Sequence, residues 1–157
     1  MRLSITIGEA SLPELDALVA VLHAARRDRM PYLPTLHTSE EDRQYFGRLM
    51  MSARTVAVWE NGLLVGFCIT RPGWIDHLYV LPDYQRRGIG RRLLDQAKSI
   101  NDGLQLWVFQ RNCAACRFYE QNGFKRAEET SGEANEEHEP DARYVWRAVQ
   151  SGCERFP

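Results

Sequence analysis

The run Gln85-Arg86-Arg87-Gly88-Ile89-Gly90 sits between an extended segment, residues 74–81, and a segment with helical spacing through Leu93, Leu94 and Ala97. A helix N-terminus carries unpaired backbone N–H groups and the positive end of the helix dipole, so it attracts phosphate. Gly88 and Gly90 have no Cβ, which lets the backbone approach an anion closely. Arg86, Arg87 and Arg91 add positive charge. The chemistry these residues point to is binding of a diphosphate. The run is not a Walker P-loop, because G-x-x-x-x-G-K-[ST] is absent, and G-I-G lacks the third glycine of a dinucleotide fingerprint. Taken alone, it reads better as an ordinary helix start with exposed arginines.

A second segment changes that balance. Asn112, Ala115, Phe118, Tyr119, Glu120, Gly123 and Phe124 spell N-x-x-A-x-x-F-Y-E-x-x-G-F. Tyr119 lies two turns along one predicted helix from Asn112, so both can face one groove. A tyrosine with its ordinary pKa of about 10 stays protonated near neutral pH and can act as an acid. The other reading of Tyr119 is a core side chain beside Phe118 and Ala115. With the phosphate loop upstream, the acid is favoured.

The two segments in this order closely resemble the GNAT superfamily of acetyl-CoA-dependent N-acetyltransferases. The motifs cover residues 75–126, and the order of flanking elements extends the resemblance to nearly the whole chain. It implies one α/β domain over residues 1–157, with a mixed central sheet of about six to seven strands flanked by about four helices. It implies acetyl-CoA as co-substrate and no metal. The backbone of Leu78, Tyr79 and Val80 would hold the pantetheine arm and acetyl group at a splayed strand, with the Val80 N–H as oxyanion donor. Gln85, Arg86, Arg87, Gly88, Ile89, Gly90 and Arg91 would cradle the pyrophosphate. Asn112 would bond the pantetheine, and Tyr119 would give a proton to the departing thiolate. The amine attacks the thioester directly, so the enzyme supplies positioning and charge stabilisation.

The base is open. An amine with a lysine-like pKa of about 10.4 must lose a proton before attack. Ribosomal-protein N-terminal acetyltransferases of this superfamily carry a base Glu five residues before the motif Asn; here that position is Trp107. That departure weakens a protein N-terminus acceptor. Asp76, Glu136 and Glu137 are the candidates, beside a water relay, and Asp76 reads equally well as a paired structural carboxylate. In GNAT-like folds the acceptor groove lies between the loop joining the first two helices, here 30–37, and the loop before the last strand, here 131–141. The first offers Tyr32 and His37. The second concentrates Glu133, Glu136, Glu137, Glu139 and Asp141. Aromatic rings with carboxylates suit a small cationic amine, with Tyr32, His37 and Glu137 as binding residues. A solvated acidic loop is the plainer alternative. A protein lysine or N-terminus acetylase and a non-catalytic acyl-CoA-binding module are the rival functions.

These residues need elements to hold them. Leu3, Ile5 and Ile7 alternate, predicting a strand over 2–7. Ser11 and Glu14 form an S-x-x-E pair, Thr38 and Glu41 a second, and each predicts a capped helix. The first helix ends near Arg29, before a loop at 30–37. Strands are expected at 55–60 and 63–70 around an Asn61-Gly62 turn, and then at 74–81, 104–109, 124–129 and 143–149. Helices are expected through Leu93 and over 113–122, the latter capped by Asn112 and stopped by Gly123.

The whole chain constrains the reading further. Its 157 residues suit one domain. Twenty Lys and Arg against 21 Asp and Glu leave a net charge of −1, which disfavours a general nucleic-acid binder. No apolar run approaches the ~20 residues of a membrane span, and residues 1–10 lack the apolar stretch of a signal peptide. A cytoplasmic protein is therefore expected, with no membrane and no nucleic-acid partner. A homodimer through the C-terminal strand is compatible with this reading. Cys113-Ala-Ala-Cys116 stands where a redox pair would stand, but the surrounding motif accounts for it better. All four cysteines are expected to be reduced, and His77 to pack or bond locally.

Overall fold

The computed structural model describes residues 4–149. Seven strands form one sheet: β1 Ile5–Glu9, β2 Arg54–Glu60, β3 Leu63–Arg71, β4 Trp74–Val80, β5 Gly103–Phe109, β6 Lys125–Glu129 and β7 Asp141–Arg147, in the order β1-β2-β3-β4-β5-β7-β6. Four α-helices cover its faces: α1 Leu15–Arg29, α2 Ser39–Ser52, α3 Ile89–Ser99 and α4 Cys113–Gln121. This is the α/β architecture, with seven strands and four helices, that the motifs implied.

The helices form where apolar spacing meets a cap. α1 buries Leu15, Leu18, Val19 and Leu22, one face at i, i+3, i+4, i+7. α2 opens on its expected capping box: the Glu41 N–H donates to Thr38 Oγ1 and the Thr38 N–H to the Glu41 carboxylate, both at 3.1 Å. The Ser11–Glu14 pair forms no such box. Residues Leu12–Glu14 make a 3₁₀ turn in which the Glu14 N–H donates to the Ser11 carbonyl at 2.9 Å, and α1 begins only at Leu15. The tight i→i+3 bond satisfies the donor that the serine hydroxyl would have taken.

Two apolar layers sandwich the sheet. Leu18, Leu22, Phe46, Phe67 and Ile69 pack between α1, α2 and one face. Leu93, Leu94, Leu106, Tyr119 and Tyr144 pack between α3, α4 and the other. β3 is buried along Leu64–Thr70 because it lies central, covered on both faces. The Asn61-Gly62 turn between β2 and β3 has positive φ at both residues, 50° and 82°, as a type I′ hairpin requires.

Strand ends differ from the sequence reading. β1 runs 5–9, not 2–7; residues 1–3 lie outside the described residues. β7 starts at Asp141 because it pairs with Phe109 at the end of β5. β7 slots between β5 and β6, so the chain's last hairpin is entered by its outer strand first.

The feature that positions the site is the β4–β5 junction. These two strands are parallel and meet at one register, Trp74 opposite Gln105, where the Gln105 N–H donates to the Gly73 carbonyl at 2.9 Å. Beyond that pair no ladder joins them, and the centre of the sheet opens toward their C-terminal ends. β4 also carries an extra residue. Ile69 faces His77 and Thr70 faces Ile75, which leaves Asp76 unpaired at a bulge. The strict alternation that would put Asp76 on one face with Trp74, Leu78 and Val80 is therefore broken.

Candidate functional site

The opening leaves one edge of Leu78, Tyr79 and Val80 without a strand partner, and unpaired backbone N–H and C=O groups of this kind can accept an extended ligand arm. The loop that follows turns into α3 through two left-handed residues, Arg86 at φ 63° and Gly88 at φ 79°. A non-glycine residue held there costs on the order of 1–3 kcal/mol and persists only where surrounding structure enforces it. Successive residues of alternating handedness turn their N–H groups into an anion-binding concavity. Gly88 is the N-cap of α3, and no acidic residue occupies the first turn. Arg86, Arg87 and Arg91 are exposed, and the Arg87 guanidinium lies 5.1 Å from the Tyr84 ring centre. A Cβ on Gly90 would stand 3.3 Å from the Phe118 ring, so the glycine lets α3 approach α4. These groups fit a diphosphate: donors, a dipole and cationic side chains, all facing solvent.

Gln85 has a different placement from the rest of that loop. Its side-chain oxygen accepts two bonds from Arg29, and its amide donates to the Val80 carbonyl at 3.0 Å. It braces the loop between α1 and β4.

Asn112 caps α4, its side-chain oxygen accepting from the Ala115 N–H at 3.3 Å. Its amide NH₂ makes no hydrogen bond among the described residues. Tyr119 is 7% exposed. Its ring packs edge-on to Phe118 and Phe124, 5.1 and 5.4 Å between centres. Burial pushes the phenol well above its usual pKa, with Cys68, Tyr79 and Cys116 adding to the effect. The core and acid readings of Tyr119 are thus compatible: the ring is core, and the hydroxyl stays protonated.

On the other sheet face, the two loops expected to bound an acceptor groove are brought together. The His37 imidazole meets the Glu136 carboxylate at 2.8 Å and Glu41 at 3.7 Å; these carboxylates raise the His37 pKa, the Glu136 hydrogen bond most of all. Arg26 meets Glu137 at 3.7 Å. Arg111, from the β5–α4 loop, pairs with Glu139 and stacks over Tyr32 at 3.8 Å. The Tyr32 hydroxyl is buried without a hydrogen-bond partner among the described residues, and burial raises its pKa first of all. Asp76 makes a two-pronged pair with Arg71, at 2.7 and 2.8 Å. His77 bonds the Tyr45 hydroxyl at 3.2 Å beside Phe46, the local partner its sequence context suggested.

A cavity of about 420 Å³ lies under the second loop, walled by Trp107, Phe109, Thr130, Asn135, Glu137 and Asp141. Trp107 is 45% exposed there. Tyr79 packs against Phe67 and His77, with ring centres 5.7 and 6.1 Å away, and burial raises its pKa most of all.

The sequence reading missed Trp107 as a wall of this cavity, and Arg26, Arg29 and Arg111 as the residues that clasp the loops. Trp107 alternates with buried Leu106 and Val108, a signal that its ring lies on the opposite face of β5. The arginines carry no such local signal. Cys68, Cys113 and Cys116 are free thiols, while Cys153 lies outside the described residues. No helix among the described residues is long and apolar enough to cross a membrane.

Comparison with known proteins agrees with this geometry. Residues 51–126 match the model of the acetyltransferase (GNAT) domain. The chain is 27% identical over 121 residues to the peptidyl-lysine N-acetyltransferase YjaB of Salmonella typhimurium, an alignment covering 77% of this chain and 83% of that protein. It is 38% identical over 69 residues to the peptidyl-lysine N-acetyltransferase YiaC of Escherichia coli, covering 43% of this chain and 47% of that one. The fold superposes on the crystal structure of PaiA N-acetyltransferase from Thermoplasma acidophilum in complex with coenzyme A, with a TM-score of 0.77 and 20% identity, over 92% of this chain and 99% of that one.

Proposed function

We propose that this chain, whose residues 51–126 match the acetyltransferase (GNAT) domain, moves the acetyl group of acetyl-CoA directly to the primary amine of a small cationic acceptor. One observation carries the choice of acceptor. The cavity beside the open strands is walled by two carboxylates and two aromatic rings, with no Lys or Arg among its lining residues. Such a wall attracts cations through charge pairing and ring faces.

The chain's own groups then take these roles. The α3 N-terminus, Arg86, Arg87 and Arg91 hold the diphosphate, with Gly88, Ile89 and Gly90 supplying backbone. Leu78, Tyr79 and Val80 offer the free strand edge to the pantetheine arm, and the Asn112 amide bonds it. When bound, acetyl-CoA supplies an acyl thioester with a thiolate leaving group. Tyr119 keeps its proton over the whole working pH range and holds it ready for the departing sulfur. Tyr32, His37 and Glu137 shape the acceptor side. Asp76 and Glu136, engaged with Arg71 and His37, are the candidate proton acceptors, beside water.

A second reading takes a lysine of a protein as acceptor, and the names of the two relatives favour it. The clasp of His37, Arg26 and Tyr32 against the 131–140 loop favours the small acceptor, because an extended peptide would have to pass between those loops. The test is thiol release from acetyl-CoA with polyamines, aminoglycosides, amino acids and lysine peptides, wild type beside Tyr119→Phe. Turnover of small cations, lost in the variant, is expected. Turnover confined to lysine peptides would replace the small acceptor with the protein one.

A further inference from the structure

The carboxylates of the cavity raise a question about which nitrogen they serve. An attacking amine must present a lone pair, so it must be neutral at the moment of reaction. The proton of the reacting nitrogen is left to Asp76, Glu136 or water, whereas a carboxylate that only ion-pairs, as Glu137 does with Arg26, keeps its partner charged. Glu137 and the Trp107 face are therefore suited to a nitrogen that keeps its charge. Trp107 is nearly half exposed on the cavity wall, and an indole offers the strongest ring face for a cation. Glu137 is already engaged by a cation, Arg26, at a loose 3.7 Å with both side chains partly exposed. Arg26 occupies the place that a ligand's charge would take. Asp141, the other carboxylate, is committed to Thr130 and Asn135, which leaves Glu137 as the exchangeable one.

We infer that the acceptor carries two amine nitrogens, one that reacts in its neutral form and one that stays cationic and is held unreacted between the Trp107 face and Glu137, with Arg26 displaced from Glu137 on binding. This rests on the acetyltransferase reading above and sharpens its acceptor. Trp107 is then a specificity-determining residue, at the position where N-terminal acetyltransferases of the superfamily carry their base.

The experiment compares α,ω-diaminoalkanes with n-alkylamines of matched length as acceptors, following thiol release from acetyl-CoA. Wild type is expected to favour the diamine by about tenfold in kcat/KM, the selectivity of one partly desolvated cation contact. In Glu137→Gln and in Trp107→Leu that ratio should collapse toward one. Arg26→Gln should move it the other way, lowering the diamine KM, because the competing cation is gone. A merely structural role for the pair would shift Glu137→Gln and Arg26→Gln in the same direction, and that result would overturn the inference. Equal use of monoamines and diamines by wild type would overturn it too, while leaving the small-amine reading intact. No thiol release with any amine would overturn both.

Discussion

Arg29, the last residue of α1, donates two hydrogen bonds, at 2.9 and 2.6 Å, to the single side-chain oxygen of Gln85. Gln85 opens the turn into α3 that we propose holds the diphosphate, and in turn donates to the Val80 carbonyl at the end of β4. One side chain thus ties together three things: the helix that leads into the 30–37 loop, the turn into α3, and the strand edge beside the opening. The bond is charge-assisted and partly buried, a class worth about 1.5–3 kcal/mol. We predict that Gln85→Ala lowers kcat/KM for acetyl-CoA roughly tenfold or more, and that Arg29→Met lowers it nearly as far. The two changes should be non-additive in the double variant, since they break one contact. Additive losses would show that Gln85 acts on the cofactor independently of Arg29.

Tyr119→Phe removes one oxygen and keeps the ring. The hydroxyl makes no hydrogen bond among the described residues, and the ring's packing on Phe118 and Phe124 survives. The melting temperature should therefore change little. If Tyr119 is the acid, kcat should fall by about 10²–10⁴ while coenzyme A binding, read by calorimetry, holds. Its pKa lies far above the usual tyrosine value because of burial, so wild-type kcat should show no loss from Tyr119 ionisation up to about pH 10. A variant with wild-type kcat would make Tyr119 a core residue alone.

The turn into α3 was legible in sequence because its signal is local: glycines, arginines and a helix start within seven residues. The same holds for the Thr38 capping box and the Asn61-Gly62 turn. The meeting of the 30–37 and 131–141 loops was half legible. The acids of 131–141 and the rings of 30–37 marked two loops, but their pairing spans about a hundred residues, as in His37 with Glu136, and only the fold supplies it. Ser11 shows the opposite failure, a local motif overruled by a tighter turn next to Pro13. Asp76 shows another: period-two reasoning assumes an unbroken strand, and a bulge breaks it.

Gly132 tests whether the 131–140 loop shapes the acceptor cavity. It has φ +85°, and an added Cβ would collide with the backbone of Glu139. Backbone cannot swing aside as a side-chain tip can. Gly132→Ala should open the loop and break the bonds between Asn135 and Glu139, at 2.7 and 3.2 Å, that close it. Glu137, between them, then leaves the cavity wall. The expected result is a rise of at least several-fold in acceptor KM, with coenzyme A affinity held and a stability loss of about 1–3 kcal/mol. An unchanged acceptor KM would place the acceptor elsewhere.

His77 links stability to pH with a sign that can be worked out. Its ring packs against Phe46, Tyr45 and Tyr79, and burial pushes its pKa down to about 4; Asp76 pulls upward and Arg26 downward, both less strongly. In the unfolded chain the same group titrates near 6.5. Between those values the unfolded state binds a proton that the folded state refuses, so folding loses free energy as pH falls from about 6.5 toward 4. At about 1.4 kcal/mol per unit the loss is on the order of 3 kcal/mol. His77→Asn cannot titrate there and still offers a partner to the Tyr45 hydroxyl. Its urea-unfolding free energy should therefore fall less steeply than wild type across that window, whatever its absolute value at pH 7. Parallel pH profiles for the two proteins would mean that His77 takes up its proton in the fold as readily as in the unfolded chain, and that its burial does not oppose protonation.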